Sequence, residues 1–257
     1  MRFNPFTEIR TALRDLGLRE TLRLAPRWLF DVAERYKRNR EQRAYLTSEG
    51  FDRRHGTDTA EMMLPSELGH IASSSGGSVH DYQTLAESEL RRPLVSLEHC
   101  GFQHFTFVDI GCGKGKPLLI ASGFAFRRVI GVDISKPCIA IARNNIELFT
   151  RGDQQQIDRF ELVVSDAELF TFPSGPLFLF LFNPFGLSTL EKMLGGLKKA
   201  LNEEPRKVLI AYRNLDILQG GREAILDTGL FEALPDLGRY SLFATTPSDW
   251  ALKPSQG

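Results

Sequence analysis

Four groups of residues in this chain have the types and spacing to do chemistry. The first is Asp109-Ile110-Gly111-Cys112-Gly113-Lys114-Gly115, an acid followed by three glycines at alternate positions. Glycine reaches positive φ without a Cβ penalty, so such a loop lets a ligand lie against the backbone. The first N–H groups of a helix that follows then point at that ligand. The second is Asp133, 22 positions after Gly111, where a carboxylate can accept both hydroxyls of a ribose. The third is Asp166 with Ala167 behind it, an acceptor for the amino group of an adenine; the same aspartate equally suits a helix N-cap. The fourth is Asn183-Pro184-Phe185-Gly186, a carboxamide on a proline-stiffened turn. Upstream, Tyr82 and Thr84 are placed to close over one end of a bound ligand, although Thr84 with Glu87 also fits a helix capping box. His55, His80 and Tyr82 are the candidate bases, and no spacing singles one out.

The glycine loop excludes two familiar uses. A phosphate-cradling NTPase loop needs two glycines with four residues between them, then Lys and Ser or Thr. Here Pro117 follows Gly115-Lys116, and Ile110 stands where the first glycine would be. A dinucleotide fingerprint needs Gly-x-Gly-x-x-Gly, and this spacing is one residue short.

These residues need a scaffold of strands ending at one edge. The apolar run 105–110 enters the glycine loop and 117–121 leaves it as helix. The run 128–133 is a second buried strand ending on Asp133, and Ser135 caps a helix to about Thr150. Residues 160–168 form a third strand and its exit, with Asp166 in the exit. Leu177-Phe178-Leu179-Phe180-Leu181-Phe182 reads as a strand buried on both faces, with Asn183 at its end. An amphipathic helix over 188–203, a strand over 207–212, a short helix over 221–227 and a closing antiparallel pair over 230–236 and 239–245 complete the alternation. Pro93 is expected to kink or split a helix running from Thr84 to about Glu98.

Upstream, 7–45 reads as helix broken at Pro26, and 46–83 has little periodicity. There Phe51-Asp52-Arg53-Arg54-His55 is rich in charge, and the Ser/Gly tract 73–78 has a loop composition suited to a lid. Three units are therefore expected: a helical cap and lid-like loop over 1–80, the main domain over 81–250, and a tail over 251–257.

Composition narrows the function classes. Lys plus Arg and Asp plus Glu both total 32, so no global field recruits nucleic acid or membrane. The first 45 residues carry eleven basic against six acidic side chains, which is basic enough to dock a partner but is more simply a solvated helix face. Three scattered cysteines imply neither a metal site nor a disulfide framework. The longest unbroken apolar run is far too short to span a bilayer. A cytoplasmic protein that does not act on duplex DNA is expected.

The order Asp-x-Gly-x-Gly-x-Gly, acid, acid, Asn-Pro-Phe over about 82–246 resembles the class I S-adenosylmethionine-dependent methyltransferases, in particular a bacterial group of undefined substrate. The resemblance implies a doubly wound α/β fold with a seven-stranded, mostly parallel sheet whose last strand is antiparallel, here with an N-terminal helical extension. It implies S-adenosyl-L-methionine as cofactor and no metal. Asp109, Gly111, Gly113 and Gly115 would hold its methionine part, with Tyr82 and Thr84 over that end. Asp133 would hold the ribose, and Asp166 and Ala167 the adenine. Asn183, Pro184 and Phe185 are similar to the Asn-Pro-Pro-aromatic motif of enzymes that methylate planar amines, which implies a nitrogen acceptor on a protein side chain or small molecule. Two rivals remain: a methyltransferase-like scaffold without turnover, and an NAD(P)-dependent oxidoreductase, which lacks an obvious Tyr-x-x-x-Lys here.

Overall fold

Strand β1 (Thr106–Ile110) is buried at every position, because it lies in the middle of a sheet covered on both faces. The computed structural model describes residues 50–60, Met63 and 84–246. Seven strands form one sheet in the order β3-β2-β1-β4-β5-β7-β6. They are β2 (Arg128–Asp133), β3 (Phe160–Val164), β4 (Leu177–Phe182), β5 (Val208–Arg213), β6 (Glu232–Leu237) and β7 (Tyr240–Ala244). Pairings through β5 are parallel, and β7 enters antiparallel between β5 and β6. This is the sheet expected from the sequence. Strand order reverses between β1 and β4, and in open α/β sheets ligands bind at such a switch point, outside the carboxyl ends of the strands.

Alternation along β4 sorts residues by face. Phe178 and Phe180 join Phe102, Phe107 and Phe126 in one core, while Leu177, Leu179 and Leu181 join the other. The first core is aromatic: Phe102 stacks on Phe126 with centroids 4.2 Å apart, and Phe107 on Phe178 at 5.6 Å. Fully burying each such ring contributes roughly 2–3 kcal/mol. The first core lies under helices α2 (Glu87–Leu97), α3 (Lys116–Ser122) and α4 (Lys136–Thr150); the second lies under α6 (Leu187–Glu203) and α7 (Gly221–Leu226). A short helix, α5 (Gln154–Ile157), precedes β3.

Two expectations are corrected. Helix α2 starts at Glu87, and Glu89, not Glu87, reaches back to accept from the Ala86 N–H at 3.1 Å. Thr84 is therefore not the cap; it is buried just ahead of the helix. Pro93 does not split α2. It shares the buried stripe of Leu90, Leu94 and Leu97, and packing of that stripe outweighs one lost backbone hydrogen bond.

The charged run after position 50 is also more ordered than a loop. Phe51–His55 is a helical turn, α1, bounded by Gly50 and Gly56 in left-handed conformation. The Asp52 carboxylate accepts from the Thr57 and Thr59 hydroxyls, both at 2.7 Å, and from the Thr59 and Ala60 N–H groups at 2.9 and 2.8 Å. This knot docks on the sheet domain. Asp58 takes the Lys114 ammonium on both oxygens at 2.9 Å. Asn145, fully buried, accepts from the Asp58 N–H and donates to the carbonyls of Asp58 and Lys114. The chain divides into Met1–Ser48 and Glu49–Gly257, and residues 50–60 lie in the second unit with the sheet. The helices expected over 7–45, the rest of the lid-like loop, His80, Tyr82 and the tail lie outside the described residues.

Candidate functional site

The glycine loop joins β1 to α3, and all three glycines use positive φ, at 85° for Gly111, 52° for Gly113 and 84° for Gly115. Four of the loop's N–H groups have internal tasks. Gly111 and Cys112 donate to the Val132 carbonyl at 2.8 and 3.0 Å, Gly115 to the Cys112 carbonyl at 2.9 Å, and Gly113 to Asp133 Oδ2 at 2.8 Å. A phosphate site needs several N–H groups converging on the anion. Here three of them go to β2 and one stays within the loop, and two carboxylates, Asp109 and Asp133, stand around the turn. That field suits a ligand with positive charge near the loop and disfavours a pyrophosphate.

Asp133 ends β2, where its second oxygen, Oδ1, accepts from the Ser135 N–H at 2.7 Å. Burial raises its pKa, and the hydrogen bonds from Ser135 and Gly113 oppose the rise. Each oxygen keeps a further lone pair, so a diol can be accepted without breaking the loop. Cys112 is a buried thiol raised well above the ordinary range, first by burial and then by Asp133, and so is a poor nucleophile. Asp166 caps the 3-10 turn Ala167–Leu169 through the Glu168 N–H at 3.1 Å. The capping role is thus real, and it holds Asp166 at the β3 exit. Ala167 packs against the second core.

Asp109 is 1% exposed and its Oδ2 has no partner among the described residues. Its pKa stands well above the ordinary carboxylate value, first because burial disfavours the charged form and then because Asp133 adds negative potential. Below the ordinary value, folded and unfolded chains both hold the proton. Above it the unfolded chain releases the proton and the folded chain keeps it until the raised value is passed, so ligand-free stability falls across that window as pH rises. Asp109→Asn is expected to raise the ligand-free unfolding midpoint at neutral pH, by on the order of 1 kcal/mol, and to flatten its pH dependence; thermal scans from pH 4 to 8 check this, and an unchanged profile would refute it.

At the end of β4, Asn183 sits in the left-handed region with φ 42°. Asparagine tolerates that region better than most residues with a side chain. The turn presses Pro184 onto the glycine loop: a Cβ on Gly111 would lie 2.5 Å from the Pro184 Cβ. Loop and Asn-Pro-Phe turn, 72 positions apart in the chain (Gly111 to Asn183), thus form one continuous wall. Phe185 is half-buried with its ring packed against the second core. His55 packs between Phe51 and Phe149, centroids 4.7 and 4.6 Å away, and its pKa is lowered by burial and by Arg54. That is a packing role.

The sequence reading missed Arg213. It ends β5 at 5% exposure, donates from Nη2 to Glu89 Oε1 at 2.6 Å and covers the Phe182 ring at 4.3 Å. The one available signal was its position, a cation at the carboxyl end of a buried strand. Among the described residues no group of three or more His, Cys, Asp and Glu could hold a metal ion.

The sheet order and this loop define a Rossmann-like domain of the class I methyltransferase type. Residues 107–204 match the family model described as a methyltransferase domain, a stretch running from β1 to just past α6 and short of half the 257-residue chain. The cofactor of such a domain is S-adenosylmethionine, and the residues fit it: a cradle of positive-φ glycines, a buried carboxylate with an unpartnered oxygen, and an acid at the end of β2. The nicotinamide reading is left without support. No curated protein matches the chain. Solved structures with a similar fold include a ribosomal protein L11 methylase from Lactobacillus delbrueckii subsp. bulgaricus, 17% identical, covering 63% of this chain and 79% of its own at a TM-score of 0.45. A precorrin-6y C5,15-methyltransferase from Geobacter metallireducens is 18% identical over 69% of this chain and 98% of its own, TM-score 0.45. The magnesium protoporphyrin IX methyltransferase of Synechocystis PCC 6803, with bound SAM, is 15% identical over 80% of this chain and 95% of its own, TM-score 0.47. Nothing about acceptors passes from them to this chain.

Proposed function

We propose that the chain is an active methyltransferase whose acceptor atom is a nitrogen, on a protein side chain or a small molecule. The observation that supports the proposal is the wall formed where Pro184 meets Gly111, because it brings the turn that carries Asn183 against the cofactor loop. The cofactor supplies a sulfonium methyl for in-line transfer to a nucleophile. The chain's part is positioning, which alone is worth several kcal/mol when donor and acceptor are held at near-attack distance. Asn183 accepts a hydrogen bond from the acceptor amine and turns its lone pair toward the loop. Pro184 fixes the depth of the turn, and Phe185 stiffens it from behind. Asp133 holds the ribose, Asp166 and Ala167 the adenine edge, and Asp109 with the three glycines the methionine part, over which Thr84 and Tyr82 close.

Thermal unfolding with S-adenosylhomocysteine tests the cofactor half of the reading. A ligand at one hundred times its Kd stabilises by about 2.7 kcal/mol, roughly 5–10 °C for a domain of this size. That rise is expected for the wild type, with no comparable rise for NAD, and is expected to vanish in Asp133→Ala. A domain that binds S-adenosylhomocysteine but transfers its methyl to no acceptor fraction would be a cofactor-binding scaffold.

A further inference from the structure

Three buried polar side chains, Asp109 near the carboxyl end of β1, Arg213 at that of β5 and Tyr240 at the amino end of β7, gather at one edge of the sheet beside the half-buried Glu89 of α2. All face the side of the sheet covered by α2. Arg213 is paired only in part. Glu89 takes Nη2, and Phe182 lies under the guanidinium, but Nε has no partner among the described residues. Asp109 Oδ2 is likewise without one. Tyr240 stands beside Arg213 in the β5–β7 register, and its hydroxyl lies in the fields of Arg213, Glu89 and Asp109.

The spacing follows from the sheet. Asp109 registers with Phe180, and Phe180 with Ala211. Arg213 is two residues further along β5, on the same face. Strand geometry puts the two Cα atoms about 12 Å apart, a span that an aspartate and an extended arginine close with one small polar group between them. Buried donors and acceptors without partners are rare in folded proteins. Here a carboxyl oxygen of Asp109 and the Nε of Arg213 are left over on one face of the sheet with a gap between them, and Arg213 is drawn to Glu89 instead of to Asp109. The complement of such a pair is a zwitterion, with an ammonium for the carboxylate and a carboxylate for the guanidinium.

We propose that Arg213, aimed by Glu89 and Phe182, receives the α-carboxylate of the cofactor's methionine part while Asp109 takes the α-ammonium. This rests on the cofactor reading above. It gives Arg213 a binding role, and it makes Glu89, which also closes the start of α2, a positioning residue. Nε and the remaining guanidinium hydrogens offer the planar donor edge that a carboxylate prefers.

Calorimetric titration of the full chain with three ligands separates the possibilities: S-adenosylhomocysteine, its decarboxylated analogue, and methylthioadenosine, which lacks both amino-acid groups. The wild type is expected to prefer S-adenosylhomocysteine over the decarboxylated analogue by roughly tenfold or more. Arg213→Gln is expected to reduce that preference to near unity while leaving methylthioadenosine affinity nearly unchanged. An Arg213→Gln chain that keeps the preference, or that loses all three ligands equally while its circular dichroism stays native, overturns the assignment. Should Arg213→Gln fail to fold, Glu89→Gln decides: it keeps the helix-start hydrogen bond but removes the competing charge, so the preference for the carboxylate must increase, and an unchanged preference makes Arg213 structural. A wild type that binds methylthioadenosine without discriminating the other two overturns this assignment alone. A wild type that binds none of the three removes the cofactor reading and this assignment with it.

Discussion

Gly111→Ala is expected to abolish S-adenosylhomocysteine binding, weakening it by about two orders of magnitude or more. Two penalties combine. At φ 85°, a side chain meets its own backbone at a cost of roughly 1–2 kcal/mol. The new methyl group would also stand 2.5 Å from the Pro184 Cβ, a separation that carbon atoms do not tolerate, so either the loop or the Asn-Pro-Phe turn must move. Gly56→Ala is the control. Gly56 has φ 73° and nothing within 4 Å of an added Cβ, so it carries the backbone penalty without the collision. Its chain should be slightly less stable and bind the ligand as the wild type does. Equal binding by Gly111→Ala and the wild type would mean that the contact between loop and turn does not shape the site.

The second large effect is at Asn183, where backbone and side chain can be separated. Asn183→Ala is expected to lower stability by about 1 kcal/mol, because alanine lacks the local polar group that eases a left-handed residue. It is also expected to slow methyl transfer by roughly a hundredfold or more through loss of acceptor orientation, with S-adenosylhomocysteine affinity unchanged. Asn183→Gly restores the backbone, and so the stability, but not the turnover. Transfer of labelled methyl from S-adenosylmethionine into protein and small-molecule fractions reads the rate, and thermal unfolding reads the stability. If Asn183→Gly turns over like the wild type, the carboxamide has no part in the chemistry and the nitrogen-acceptor proposal loses its support.

The strands were legible because parallel strands covered on both faces read as nearly unbroken apolar runs. The expected 128–133 and 177–182 are the observed β2 and β4, β3 lies within the expected 160–168, and β5 shifts by one residue. The edge strand β6 was harder: it carries Pro235 and a register irregularity between Leu234 and Leu237, as edge strands can. In the candidate site, the left-handed glycines were legible since only glycine sits there without strain. What the sequence hid were polar pairs of long separation. Arg213 meets Glu89 across 124 positions and Asp58 meets Asn145 across 87, and no periodicity announces such pairs. Asp52 looked like part of a solvated charged run because its four partners are backbone and hydroxyl groups with no pattern of their own. Thr84 misled because a capping signature records what a side chain could do, while Glu89 two residues past Glu87 wins the position through its ion pair with Arg213.

The Asn145 amide holds the Asp58 backbone and the Lys114 carbonyl at once, and Lys114 lies between the second and third glycines of the loop. Docking of residues 50–60 and the shape of the cofactor cradle are therefore two readings of one equilibrium. By linkage, whatever free energy that docked segment lends to ligand affinity, a bound ligand returns to the segment in equal amount. Amide exchange at Thr59 and Ala60 should then slow when the cradle fills, although neither residue is in the cradle, and a fragment cut at the Ser/Gly tract would carry the full glycine motif and still bind poorly.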